Sequence, residues 1–136
     1  MGVSIHCGKL PSMDMSYSTF DRWRVQLAKS LDSNFGELYN DLIFCHETEL
    51  YKVLSKQFED KCNSMNNLTQ ELFDFFTMSD CEGKIGKETS KQLIPLIEKL
   101  DDEYKIGYCG IMPYNKEYVL NFFRHSARYG ANVWWS

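Results

Sequence analysis

The sequence lacks most of the short signatures that mark small catalytic domains. It contains no G-x-G-x-x-G, no P-loop and no nucleophile elbow, so the standard phosphate cradles and serine nucleophiles are missing. Gly107-Tyr108-Cys109-Gly110 is too short to cradle a phosphate in a recognised way. Five cysteines (Cys7, Cys45, Cys62, Cys81, Cys109) stand far apart with no CxxC pair. That excludes a zinc knuckle or a thioredoxin-type dithiol and favours reduced, mostly buried thiols in a cytosolic setting. His6-Cys7 and Cys45-His46 are adjacent pairs that could meet on zinc only through folding. Cys7 or Cys109 with His6 or His125 offers a Cys–His couple, but no spacing selects one. No apolar run approaches the roughly 20 residues of a membrane span. The first residues lack the charged-then-apolar pattern of a signal peptide. His6 stands where a myristoylation motif needs Ser or Thr.

What is present is apolar and aromatic: 43% hydrophobic and 15% aromatic residues in 136. That composition predicts one domain, 1–136, with a single core. Net charge is −4 but uneven. Residues 1–30 balance at +2, residues 37–82 at −7 with ten acids, and residues 105–136 at +3. All four arginines lie in the two end segments. A net negative chain offers no basic groove for an extended nucleic acid. Solvated helix faces account for most of the acidic middle.

Val3–Cys7 and Met13–Tyr17 alternate around the Gly8-Lys9-Leu10-Pro11 turn signal, which predicts a β-hairpin. Ser18-Thr19-Phe20-Asp21 resembles a capping box opening a helix to about Leu31. Its stripe is Phe20, Trp23, Leu27, Leu31, and Arg24 falls inside it. An arginine on a buried face must be paired or must face a ligand; Asp14 or Asp21 could pair it. Further helices are predicted from Asn34 or Phe35 to Phe44, and from His46 to Cys62 with Leu50, Val53, Leu54 and Phe58 on one face. Others follow from Leu68 to Thr77, from Lys87 to Leu100 and from Asn115 to Tyr129. Pro95 predicts a kink or restart near Ile94. Asp101 to Tyr114 reads as irregular. Gly130 suits an αL cap, and Asn132–Trp135 reads as a short strand. A hairpin alone is marginal, so this strand is expected to pair with it. The fold class is thus α+β and mainly helical: five or six helices with a small antiparallel sheet from the N-terminal hairpin and the C-terminal strand.

Ser79-Asp80-Cys81-Glu82-Gly83-Lys84-Ile85 nearly makes a calcium loop. With Gly83 at loop position six, Met78 and Thr89 fall where carboxylate ligands should be. Asp80 and Glu82 remain, too few oxygens for a divalent cage, and read better as turn-formers bonding nearby amides than as an acid–base pair. No metal, cofactor or calcium dependence is expected.

Tyr17-Ser18-Thr19-Phe20-Asp21-Arg22-Trp23-Arg24, the Ser79–Gly83 turn, and a late helix ending in a short strand together resemble a loose family of small uncharacterised proteins from phages, prophages and bacteria. The resemblance covers about two-thirds of the chain. Relatives carry His before the Ser, where this chain has Met78, which weakens a metal or proton-transfer role there. The resemblance implies no activity, but it does imply a phage-like source, where small accessory proteins commonly antagonise host defence. On that basis the expected function is a non-enzymatic anti-defence protein of the host cytoplasm that binds and sequesters a nucleotide-derived signal. An anionic nucleotide needs guanidinium or ammonium donors for phosphate and a flat aromatic for the base. Arg24, Arg124 and Arg128 with Tyr17, Trp134 and Trp135 supply both if the chain ends meet. The rival expectation is an inhibitor that binds a host defence protein through its acidic helices. Either is compatible with a homo-oligomer.

Overall fold

The computed structural model describes residues 2–102, 105–106 and 114–136. Its elements run β1 (Gly2–Cys7), β2 (Met13–Ser16), α1 (Tyr17–Leu31), α2 (Ser33–Ile43), α3 (Thr48–Ser64), α4 (Gln70–Thr77), β3 (Gly83–Ile85), α5 (Lys87–Glu98), β4 (Lys105–Ile106), β5 (Tyr114–Asn115), α6 (Lys116–Tyr129) and β6 (Val133–Trp135). The architecture is α+β and mainly helical, with six helices among the described residues. A four-stranded sheet has the order β2-β1-β6-β3 with every pairing antiparallel. Lys105 and Asn115 begin a separate two-residue ladder. The Gly107–Gly110 segment and Cys109 lie outside the described residues.

Period-two alternation puts Val3, Ile5, Cys7, Met13, Met15, Ile85, Val133 and Trp135 on the buried face of the sheet. The expected pairing of the terminal strand with the hairpin is present: Ile5 opposes Trp135 and Cys7 opposes Val133. The ladder extends to Ser136, whose N–H donates to Ser4 O at 3.2 Å. The hairpin turn contains Gly8 at φ 54. At the end of α6, Gly130 takes φ 69 and its N–H donates to Ser126 O at 2.9 Å, the αL cap that only glycine adopts freely.

Four readings need correction. The cap of α1 is Ser16, whose side chain accepts from Thr19 N, so the helix begins before the Ser18–Asp21 box. The α5 helix does not restart near Ile94 but runs on through Pro95; the ring costs one backbone bond, and Leu93, Leu96 and Ile97 are buried on either side of it. Gly83–Ile85 is not a loop but the edge strand of the main sheet. A Cβ on Gly83 would fall inside the ring of Trp135, so glycine here makes room for a tryptophan. Finally, the second hairpin strand ends at Ser16 and Tyr17 already belongs to α1. On the Leu50, Val53, Leu54, Phe58 face of α3, Phe58 alone is buried.

The core gathers around aromatic side chains. Trp23 packs against Phe20, Phe75 and Phe123 with ring centres 5.6–6.3 Å apart, and Trp135 against Phe20 and Phe75. A second aromatic group, Phe35, Tyr39, Phe58 and Phe76, joins α2, α3 and α4. Such offset and edge-on pairs add about 0.5–1.5 kcal/mol each beyond the area they bury.

Candidate functional site

Arg24 lies on the buried face of α1, only 3% exposed, and its two Nη groups are engaged inside the protein. Nη2 donates to Asp21 Oδ1 at 3.0 Å. Nη1 donates to the carbonyls of Phe75 at 3.2 Å and Met78 at 2.7 Å, where the C-terminus of α4 presents carbonyls and negative potential. Nε finds no acceptor among the described residues, and the guanidinium carbon sits 4.8 Å from the centre of the Phe20 ring. Of the two carboxylates considered for it, Asp21 is the partner. Asp14 accepts instead from Ser4 Oγ at 2.6 Å.

The turn after α4 is fixed by the same assembly. Met78 O accepts from Arg24, Ser79 O accepts from Trp135 Nε1 at 2.9 Å, and Ser79 Oγ accepts from Cys81 N at 3.0 Å. The Phe20–Arg24 segment, the Ser79–Gly83 turn and the terminal strand are therefore one physical unit. Its result is to hold Asp80 against Asp21. Burial, joined by a side-chain hydrogen bond to Asp80, pushes the Asp21 carboxyl from 3.8 up to about 6, against the opposing pull of Arg24. These side chains line one side of a cleft of about 360 Å³ whose other walls include Tyr39, Cys45 and Tyr51. Tyr39 donates its hydroxyl to Phe76 O at 2.7 Å, and burial raises its pKa above the ordinary phenol value.

The six residues nominated for an anionic ligand do not share this cleft. Arg24 and Trp135 meet through Phe20, but Trp135 is buried in the core. Tyr17 is half-buried at the start of α1 and packs on the core. Arg124 reaches Glu117 at 3.2 Å and Glu98 at 3.7 Å on the exposed side of α6. Arg128 lies over the ring of Tyr129 at 5.3 Å. Trp134 stands on the outer face of the sheet with His6 stacked on it at 4.0 Å and Lys84 opposite it in register. Alternation along β1 turns His6 outward and Cys7 inward, so that pair cannot ligate one metal. Among the described residues, no three His, Cys, Asp or Glu side chains are placed to hold a metal ion, and no helix is long and apolar enough to cross a membrane.

A second cavity adjoins the carboxyl cleft at Cys45, which lines both. It is an open groove of about 670 Å³ between the end of α2 and the start of α3, with Phe44, Leu50 and Leu54 among its apolar walls and Asp41 and Glu47 at its rim. Around it Phe44 is 38% exposed, Leu50 46%, Tyr51 49% and Val53 53%. Sequence reasoning missed this surface because helical spacing of apolar residues looks the same whether the stripe meets a core or solvent. The available signal was the acidic flank, Glu47 and Glu49 beside Leu50. Comparison of the chain with family models, curated proteins and solved structures returns no match.

Proposed function

We propose that this chain is a non-enzymatic binding protein that engages a protein partner through the α2–α3 face, in the setting of a phage-encoded inhibitor of a host defence protein. One observation carries the reading. A helix of 17 residues buries a single side chain, Phe58, and leaves a contiguous group of large apolar ones in water beside a groove. Contiguous exposed apolar surface rimmed by polar groups marks an interaction site more often than it marks idle surface. The test is a photo-crosslinking amino acid at Val53 or Leu50, compared with one at the exposed Arg22 on α1. One defence protein should be captured from the α3 positions and not from Arg22. Val53→Arg, with its melting temperature unchanged, should lose both that capture and protection of the phage. Equal labelling from all three positions would overturn the reading.

A second reading, sequestration of a nucleotide-type anion without chemistry, is favoured by one place only, the row His6–Trp134–Lys84 across the outer face of the sheet. It supplies an exposed ring and an ammonium, the two elements such a ligand uses. A nucleotide that binds the wild type, is recovered unmodified after denaturation, and is lost on Trp134→Ala would support it. Binding unaffected by that change would remove it.

A further inference from the structure

The charge around the α2–α3 groove has one sign. Asp41 and Glu47 stand at its rim, and the adjoining cleft presents Asp21 and Asp80. Among the described residues, His46 also lines the groove and the one permanent cation lining either cavity is Arg24, whose Nη groups are committed to Asp21 and two backbone carbonyls. Lys52 and Lys56 of α3 are exposed and already paired with Glu49 and Asp60. An apolar floor beside an excess of carboxylates, of which Arg24 pairs with Asp21 alone, repels anions and acidic peptides and favours a segment carrying apolar and cationic side chains together.

We propose that the groove receives an amphipathic segment of a partner protein, its apolar side on Phe44, Leu50 and Leu54, with a neighbouring Lys or Arg directed into the Asp21–Asp80 cleft. This rests on the reading of the α2–α3 face as protein-binding and adds the chemistry of the partner. The two cavities meet at Cys45, so one short segment reaches both. The groups facing Asp21 are Arg24 from α1, Asp80 from the turn after α4, Tyr39 from α2 and Tyr51 from α3. Of these only Asp80 carries a carboxylate that can join Asp21 in answering an incoming cation.

The experiment uses three synthetic fluorescent peptides with one shared apolar helical stripe, flanked by Lys/Arg, by Gln or by Glu. Anisotropy measures affinity, and hydrogen exchange locates the bound peptide on the full chain. The basic peptide should bind about tenfold or more tighter than the neutral one, weaken with added salt, and protect amides at the end of α2 and the start of α3. Leu50→Ser should abolish binding of the basic and neutral peptides alike. Asp80→Asn should remove most of the advantage of the basic peptide while leaving the neutral one unchanged. Equal affinity for all three peptides, protection elsewhere, or a dimer that Val53→Arg dissolves would each overturn the proposal, the last by showing a second copy as the occupant. If a protein still crosslinks from Val53 while the basic peptide fails to compete, the binding face stands and the charge assignment falls. If neither occurs, the functional reading fails with it.

Discussion

The helices α1 and α3 are close in length, 15 and 17 residues, and both carry apolar residues at helical spacing. Yet α1 buries Phe20, Trp23, Arg24, Val25, Leu27 and Ala28, whereas α3 buries Phe58 alone. The first is held by packing, the usual source of helix stability in a folded domain. The second rests chiefly on α2, with local pairs (Lys52–Glu49 and Lys56–Asp60) that are exposed and add little. Lys61 adds a tie at 3.2 Å to Asp32, which caps α2. Equal periodicity with unequal burial separates residues the fold consumes from residues it leaves available. That difference is why the functional proposal rests on α3.

The largest way to break this comparison is to cut α1 from its neighbours. Arg24→Ala strands the Asp21 carboxyl and two carbonyls in a buried place, and should cost about 3–5 kcal/mol in urea unfolding. A cost below about 1 kcal/mol would mean that those bonds contribute little and that Arg24 is free for a ligand after all.

Next in size is Phe58→Ala, expected to cost about 3 kcal/mol because its ring packs on Phe35 and Tyr39. Here the loss should be local. Hydrogen exchange should show α3 amides opening at nearly unfolded rates while α1 stays protected. Uniform loss across both helices would erase the distinction drawn between them.

The smallest effect sharpens it at the cleft where α1 and α3 face one another. Because the Asp21 carboxyl is raised from 3.8 to about 6 in the folded protein, its contribution to stability is full below its unfolded value near 3.8 and is lost as pH rises through about 6. At ~1.4 kcal/mol per pKa unit the ceiling is ~3 kcal/mol. Asp21→Asn, which also takes the one carboxylate partner from Arg24, should lose the decline in stability between pH 4 and 6 in urea unfolding. An unchanged decline in the variant would assign it to another group.

The sheet and most helix ends were legible in the sequence because their signals are local: alternation in Val3–Cys7, a glycine at 130 for an αL cap, spacing in α1 and α6. The strand at Gly83–Ile85 was not, since three residues carry no periodicity and the reason for Gly83 is a tryptophan 52 positions away. Arg24 was marked correctly as a buried cation needing a partner, but two of its partners are backbone carbonyls of α4, which leave no trace in residue identity. The proposed binding face was hidden by its likeness to a core stripe. Trp134 and Trp135 stood together as one candidate pair, yet strand alternation gives one to solvent and one to the core.

The place of β6 in the sheet has a kinetic consequence. β6 lies between β1 and β3, so Ile5 must find Trp135 across most of the described residues. Closing a loop of that length is entropically costly and slows folding relative to local pairing. Until residues 133–135 leave the ribosome, the inner edge of β1 and all of β3 lack their neighbour. Until then the nascent chain carries an open sheet edge, and the sheet is completed only once residues 133–135 have emerged.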